Sequence, residues 1–279
     1  MLAGWRRSFR VAVWSNLETS GNDSRYSLGP NGKPALCMIP RPATAPADLP
    51  SRNPTPGLFI TGTDTGVGKT RVAAAIARRL LRDGRRVGVY KPAASGCRRE
   101  GASLVCDDAV ALWEAAGRPG SLGEVCPQRF EAPLAPHLAA EAEGRQLDTR
   151  LLRDGFAPWR RFDVVLVEGA GGLMSPLGPT ESNADLAADF GLPLLVVARN
   201  ALGTIHATLC TLLAARHCRR GLPVAGVVLS QTARPADDPS TATNRRELAA
   251  RCGVPILAEL AHGADEFDTD VDWFRLAGG

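Results

Sequence analysis

The amino-acid sequence predicts an α/β fold in three layers, a mostly parallel twisted sheet with helices on both faces. Three observations carry that expectation. From Gly57 onward, apolar runs of strand length alternate with longer stretches that keep one apolar helical face. Strand and helix follow each other in turn, the pattern of parallel strands joined by crossovers. The polar, glycine-rich motifs fall after strands, at the carboxyl ends where open parallel sheets hold their ligands.

Strands are expected at 57–61, 86–90, 163–167, 192–198 and 223–229, with a shorter one at 255–257. Helices are expected at 70–82, 107–116, 183–190, 204–218 and 241–252. The first is rich in Ala, Arg and Leu and stops at Gly84. Residues 1–56 read differently. Eight of the 21 prolines lie between Pro30 and Pro56, among Gly, Ser and Asn. Such a segment does not readily join a sheet or helix. It is expected to be a disordered or mis-started extension, with Met38 as a candidate start, ahead of one domain at 57–279. Arg6, Arg7 and Arg10 among Trp, Phe and Val resemble a transit peptide only faintly.

Composition excludes several function classes. The 279 residues are 44% hydrophobic, enough for a sizeable core. The net charge of +4 comes without a long basic run, so nothing demands nucleic acid. No apolar stretch approaches the ~20 residues needed to cross a bilayer as a helix. Seven cysteines without any C-x-x-C argue for incidental thiols in a reducing, cytoplasmic setting. There are 30 Arg and only three Lys: Lys33, Lys69 and Lys91. Where Arg is so strongly preferred, a retained Lys hints at a role that Arg cannot fill.

The stretch T-G-T-D-T-G-V-G-K-T at 61–70 reads as a phosphate-binding loop between a strand and a helix. Gly66 and Gly68 let backbone N–H groups of the Gly66–Val67–Gly68 turn face phosphate oxygens, and the helix N-terminus adds positive potential. Lys69 reaches the outer phosphates and Thr70 offers a hydroxyl to Mg²⁺. The loop is one residue longer than G-x-x-x-x-G-K-[ST], which adds polar groups at Thr63, Asp64 and Thr65. The phosphate cradle itself is intact, so the fold is of the P-loop NTPase type. Partition-type ATPases carry a second Lys at the position of Asp64; an acid there removes that reading.

Lys91 opens K-P-A-A-S-G at the carboxyl end of the second strand, followed by the polar turn at Ser95 and Gly96. A compact ammonium suits a small carboxylate or carbamate better than a planar guanidinium. A surface Lys capping a strand is the plainer reading, disfavoured by the scarcity of Lys. The strand 163–167 ends in Glu168, then Gly169, Ala170, Gly171 and Gly172. An acid there commonly binds Mg²⁺ in phosphate-loop proteins; alone it reads equally well as an ordinary strand end. Asp107 and Asp108 open a helix, where acids suit the dipole without any function.

Together, G-T-D-T-G-V-G-K-T, Y-K-P-A-A-S-G, D-A-V-A-L, A-P-L-A-P-H-L-A-A, V-E-G-A-G-G and L-G-T-I, in that order, resemble the dethiobiotin synthetases. The match runs from about Gly57 to Leu260, and the longer loop is a trait of that family. The resemblance implies an ATP-dependent ligase of biotin biosynthesis that carboxylates 7,8-diaminopelargonate with CO₂ and closes the ureido ring. It implies Mg²⁺ held by Thr70, Asp108 and Glu168. It implies ATP contacts at Gly66, Val67, Gly68, Lys69, Thr70, Arg71, Asp108, Glu168, Gly169, Ala170, Gly171, Ser230 and Gln231. Lys91 and Lys69 would be catalytic, and Thr65 and Ser95 would bind the substrate head. Gly203, Thr204, Ile205 and His206 would hold its tail carboxylate across a homodimer. Without the resemblance those four are an ordinary helix start.

The chain departs from the family pattern at His206, at Gly66, at Ser230–Gln231 and at Ala261, where the family commonly has Asn, an acid, Asn-Asp and Pro. These changes predict ATP use with weak discrimination against other triphosphates. Two other classes compete. A corrin-type amidoligase would need a second domain, and only about 20 residues follow Ala258. A partner-driven ATPase switch would not need Lys91.

Overall fold

The computed structural model describes residues 55–234 and 238–279. The readings placed on residues 1–54 lie outside the described residues. The elements, in chain order, are β1 (Gly57–Gly62), α1 (Lys69–Arg82), β2 (Val87–Tyr90), β3 (Ala93–Ala94), β4 (Arg98–Glu100), β5 (Ser103–Val105), α2 (Asp107–Ala115), α3 (Leu122–Val125), β6 (Gln128–Arg129), α4 (Pro136–Ala142) and α5 (Thr149–Asp154). They continue with β7 (Val164–Gly172), α6 (Asn183–Phe190), β8 (Leu194–Arg199), α7 (Thr204–His217), β9 (Val224–Ser230), α8 (Thr241–Arg251), β10 (Ile256–Leu260) and α9 (Trp273–Leu276).

Six strands form one sheet in the order β10-β9-β8-β1-β7-β2, and every pairing within it is parallel. Two-sided burial explains why these strands are continuous apolar runs. All six residues of β1 and all four of β2 are buried. Alternate residues of β8 point to opposite faces. Leu195 and Val197 join the main core, while Val196 and Ala198 pack with Leu212, Leu229 and Leu248. The main core buries Phe59, Ile76, Leu80, Tyr90, Phe156 and Trp159 almost completely. Helix α1 buries its Val72-Ala73-Ile76-Ala77-Leu80 face against the sheet and leaves its arginines at the rim.

The order of strands places the site. β1 is flanked by β7 and β8, and β7 stands between β1 and β2. The loops leaving β1, β2 and β7 therefore meet on one edge. Sequence reasoning located all six sheet strands, but ended the last at 257; it runs on to Leu260 because Glu259 and Leu260 pair with Leu229 and Ser230. It missed the β4–β5 hairpin, the β3–β6 pair and the short helices α3, α4, α5 and α9, each too brief for periodicity to register.

Helix α6 starts with a capping box in which Ser182 and Asp185 exchange hydrogen bonds, and Arg219 pairs with Asp185 at 2.6 Å. Burial opposes the Asp185 charge, but the bonds from Arg219 and Ser182 outweigh it and hold this carboxyl below its ordinary value. Its stabilisation is therefore present above the unfolded-state pKa and lost as pH falls through the depressed folded one. Asp185→Asn is expected to cost about 1 kcal/mol at neutral pH. Thermal melts of both proteins should differ there and converge only as pH falls below the depressed folded pKa, where the carboxylate is protonated in either state.

Candidate active site

The long loop leaves β1 at Gly62 and turns into α1 at Lys69. Gly68 adopts φ 93°, ψ 23°, a left-handed conformation that glycine takes without strain. A Cβ on Gly68 would also lie 2.4 Å from Ser230 Oγ, so glycine is required twice over. Lys69 is buried, and its Nζ donates to the loop's own Asp64 carbonyl at 3.3 Å. Burial holds the Lys69 pKa below its ordinary value, even with Glu168 attracting its charge.

Lys91, at the end of β2, is the centre of the polar cluster. Its Nζ donates to Glu168 Oε1 at 2.6 Å and to Asp108 Oδ2 at 2.9 Å. Thr70 Oγ1 donates to the same Glu168 Oε1 at 2.9 Å. Lys91 and Glu168 are 4% and 1% exposed, so this is a buried ion pair. Burial opposes the Lys91 charge, but Glu168 and Asp108 outweigh it and raise the ammonium pKa. Burial pushes the Glu168 carboxyl up. For half-exposed Asp108, burial pushes the same way, but Lys91 and Thr70 prevail and lower it. Tyr90, next in sequence, is anchored by donating to the Leu152 carbonyl at 2.9 Å, which fixes the strand end from which Lys91 projects.

These groups line a cleft of about 530 Å³ with Thr65, Gly66, Gly68, Arg71, Ser95, Ala170 and Gly171. The sequence reading thus gathered most of one site, with Lys69, Thr70, Lys91, Asp108 and Glu168 all on its wall. Other expected residues stand elsewhere. Val67 is buried within the loop. Gly169 gives room to Asn183, whose Oδ1 would be 2.8 Å from a Cβ there. Ser230 is wholly buried beneath Gly68, and its hydroxyl has no hydrogen-bond partner. Gln231 Nε2 donates to Glu259 Oε1 at 2.6 Å, a carboxylate oxygen that also accepts from Asn200. Gly203, Thr204, Ile205 and His206 begin α7 and do not line the cleft. Arg71 bridges out of α1 to three backbone carbonyls, Gln231, Ala261 and Ala264, at 3.0, 2.9 and 3.3 Å.

Sequence reasoning missed Ala94, Thr232, His262 and Gly263 on the cleft wall. The last three follow β9 and β10, so the rule that ligands gather at strand carboxyl ends could have found them. It also missed Asn183. Its side chain bonds to Ala170 N and O and to the Gly172 carbonyl, and so holds the glycine-rich turn after Glu168. Because Arg71 ties the far wall to α1, Arg71→Ala is expected to raise KM for the nucleotide about tenfold while kcat changes little. Steady-state kinetics with varied nucleotide would check this.

A parallel α/β sheet, a glycine loop closed by Lys-Thr, and a buried Lys–Glu pair at its mouth define a P-loop nucleotide-using enzyme. A family profile described as an AAA domain (AAA_26) matches residues 56–265. The ATP-dependent dethiobiotin synthetase BioD of Rhodopirellula baltica is 45% identical over 214 residues, 72% of this chain and 82% of that protein. The BioD of Anaeromyxobacter dehalogenans is 50% identical over 194 residues, 69% of this chain and 84% of that one. The BioD of Bacillus cereus is 41% identical over 212 residues, covering 76% and 85%. The chain belongs to the ATP-dependent dethiobiotin synthetase family, the ligases of biotin biosynthesis. Membership sets aside both the ATPase switch and the corrin-type amidoligase.

Proposed function

We propose that this chain carboxylates 7,8-diaminopelargonate with CO₂ and closes the ureido ring of dethiobiotin at the expense of ATP. The observation that carries this reading is Lys91: a buried ammonium beside the phosphate loop, held by Glu168 and Asp108. One substrate amine adds to CO₂ as a carbamate. The ATP terminal phosphate passes to a carbamate oxygen, and the second amine closes the ring and expels phosphate. Lys91 holds the carbamate as a point charge, and Lys69 neutralises the transferred phosphoryl group. Thr65 and Ser95 orient the head of the substrate. Neither amine needs an activating base; placement supplies most of the rate.

Mg²⁺ belongs to the same reading. Glu168 Oε2 is buried with no partner, an orphaned hard oxygen that suits a divalent cation. Thr70 and Asp108 stand on either side of the Lys91–Glu168 pair. Among the described residues no group of three His, Cys, Asp or Glu could hold a metal alone. These few oxygens fit Mg²⁺ completed by phosphate and water, and bound Mg²⁺ would screen the phosphate charge. Thr70, Asp108 and Glu168 would hold the cation, and Lys91 would remain to hold the carbamate.

The reading extends to a homodimer in the cytoplasm, with residues 1–56 as an extension ahead of the catalytic domain at 57–279. Leu202 is 86% exposed at the start of α7, and the buried Thr204 hydroxyl beside it has no partner. Both suit an α7 N-terminus that meets the tail carboxylate of a substrate bound in the other subunit. No helix among the described residues is long and apolar enough to cross a membrane.

The test is a mass-resolved reaction of the protein with diaminopelargonate, bicarbonate and Mg-ATP. Dethiobiotin and phosphate should rise one for one. Phosphate without dethiobiotin would refute the substrate assignment. Because Ser230 is buried and Gln231 is held by Glu259, kcat/KM for GTP is expected within about tenfold of that for ATP, a gap of about 1.4 kcal/mol. Strict ATP selectivity would contradict this.

A further inference from the structure

Three thiols lie together beside Lys91. Cys97 precedes β4 and Cys106 follows β5. Within the hairpin Arg98 pairs with Val105, Arg99 with Leu104 and Glu100 with Ser103. Cys97 and Cys106 occupy the next position outward, opposite each other and on the same face. Residues so placed on antiparallel strands have Cα atoms about 4.5–5.5 Å apart, within the ~4.4–6.8 Å span of a disulfide. Their backbone groups are turned to other partners. The Cys97 N–H donates to Phe130 at 2.9 Å, and the Cys106 carbonyl accepts from Val110 at 3.0 Å. Both side chains point inward, 4% and 5% exposed. The Cys106 sulfur faces both Cys97 and Cys126. The three are not arranged as a metal site.

The hairpin above these sulfurs is open to solvent, and β4 is exposed along its whole length. A two-stranded ribbon is marginally stable by itself, so its local opening admits a small oxidant. Cys106 is also the cap of α2, where its sulfur accepts from Ala109 N–H at 3.4 Å. That first turn carries Asp108, which holds Lys91.

We propose that Cys97 and Cys106 form a dithiol site that a peroxide oxidises to a disulfide, and that this bond lowers ligase activity. One thiol reduces the peroxide O–O bond, becoming a sulfenic acid and releasing water. The second thiol attacks that sulfur, forming the S–S bond and releasing a second water. Two electrons and two protons leave the protein, and one peroxide becomes two waters. The new bond draws the Cys106 sulfur toward Cys97 and away from Ala109, which loosens the turn that carries Asp108. This loss of activity rests on the site reading above; the disulfide does not.

The experiment is graded hydrogen peroxide on the full chain, then alkylation of free thiols, non-reducing peptide mapping and a dethiobiotin assay. The expected result is one intramolecular bond joining Cys97 to Cys106, with a mass loss of about 2 Da for the two hydrogens removed. Activity falls several-fold with it, and both return with dithiothreitol. Cys97→Ser and Cys97→Ala resist the loss, while Cys126→Ser still forms the bond. A bond from Cys106 to Cys126, or modification confined to exposed Cys210, overturns the proposal. So does equal inactivation of the Cys97 variants. A mapped bond without loss of activity overturns the switch and leaves only the disulfide. If the reduced protein makes no dethiobiotin, the ligase reading fails while the map still decides the bond.

Discussion

Lys91→Ala is expected to lower kcat/KM for dethiobiotin by about 10³, the loss typical when a preorganised charge-stabilising group is removed. The ammonium is buried and meets two carboxylates, so the alanine also leaves Glu168 as a nearly unpaired buried charge. Breaking a buried pair in this way costs about 3–5 kcal/mol, and the low end applies because Thr70 still donates to Glu168. Glu168 already has its pKa raised by burial, and loss of Lys91 raises it further. A carboxyl with a raised folded pKa prefers its neutral form in the fold. The stability deficit is therefore largest above that pKa and shrinks as pH falls through it. Melts across pH, beside rates at a pH where the variant is fully folded, separate stability from chemistry. Lys91→Arg is expected to restore stability in part but not turnover, because a planar fork cannot act as a compact charge on the carbamate. Full activity in Lys91→Arg would refute the role given to this side chain.

Gly68→Ala is expected to have the second largest effect. The residue sits at φ 93°, and its Cβ would meet Ser230 Oγ at 2.4 Å and Ser230 Cβ at 3.2 Å. Left-handed strain contributes about 1–2 kcal/mol and overpacking about 1–3 kcal/mol. Relief requires the loop to lift away from β9, which turns its amides off the phosphates. Nucleotide affinity should drop about 100-fold, near 2.7 kcal/mol, as read by titration calorimetry. Ser230→Gly in the same chain removes the clash but not the backbone strain. The double variant should recover part of the affinity and only part; no recovery would show that strain alone governs the loop.

The six sheet strands and five long helices were legible because burial on both faces writes itself as apolar runs, and one-sided packing as a 3.6-residue period. The short pieces were not. β3 and β6 hold two residues each, and their pairing with each other depends on chain folded around Lys91. The phosphate loop, Lys91 and Glu168 were legible for a different reason. Glycines at fixed spacing before Lys-Thr have a chemistry that survives without coordinates, while Lys91 stood out by the scarcity of Lys and Glu168 only through its place in the family pattern.

By itself, then, the sequence determined the parallel α/β scaffold, the phosphate loop and the residues that reach the cleft from the ends of β1, β2 and β7. The tertiary structure decided what those residues do to one another. Only the strand order, with β7 between β1 and β2, brings Lys91 to Glu168. Only packing shows that Gly68 rests on Ser230, that Glu259 holds Gln231, and that Arg71 ties β9 and β10 to α1. The physical reason is range. Periodicity and motif spacing report interactions between residues near in sequence, whereas these contacts join positions 28 to 190 residues apart and depend on where the sheet places its strands.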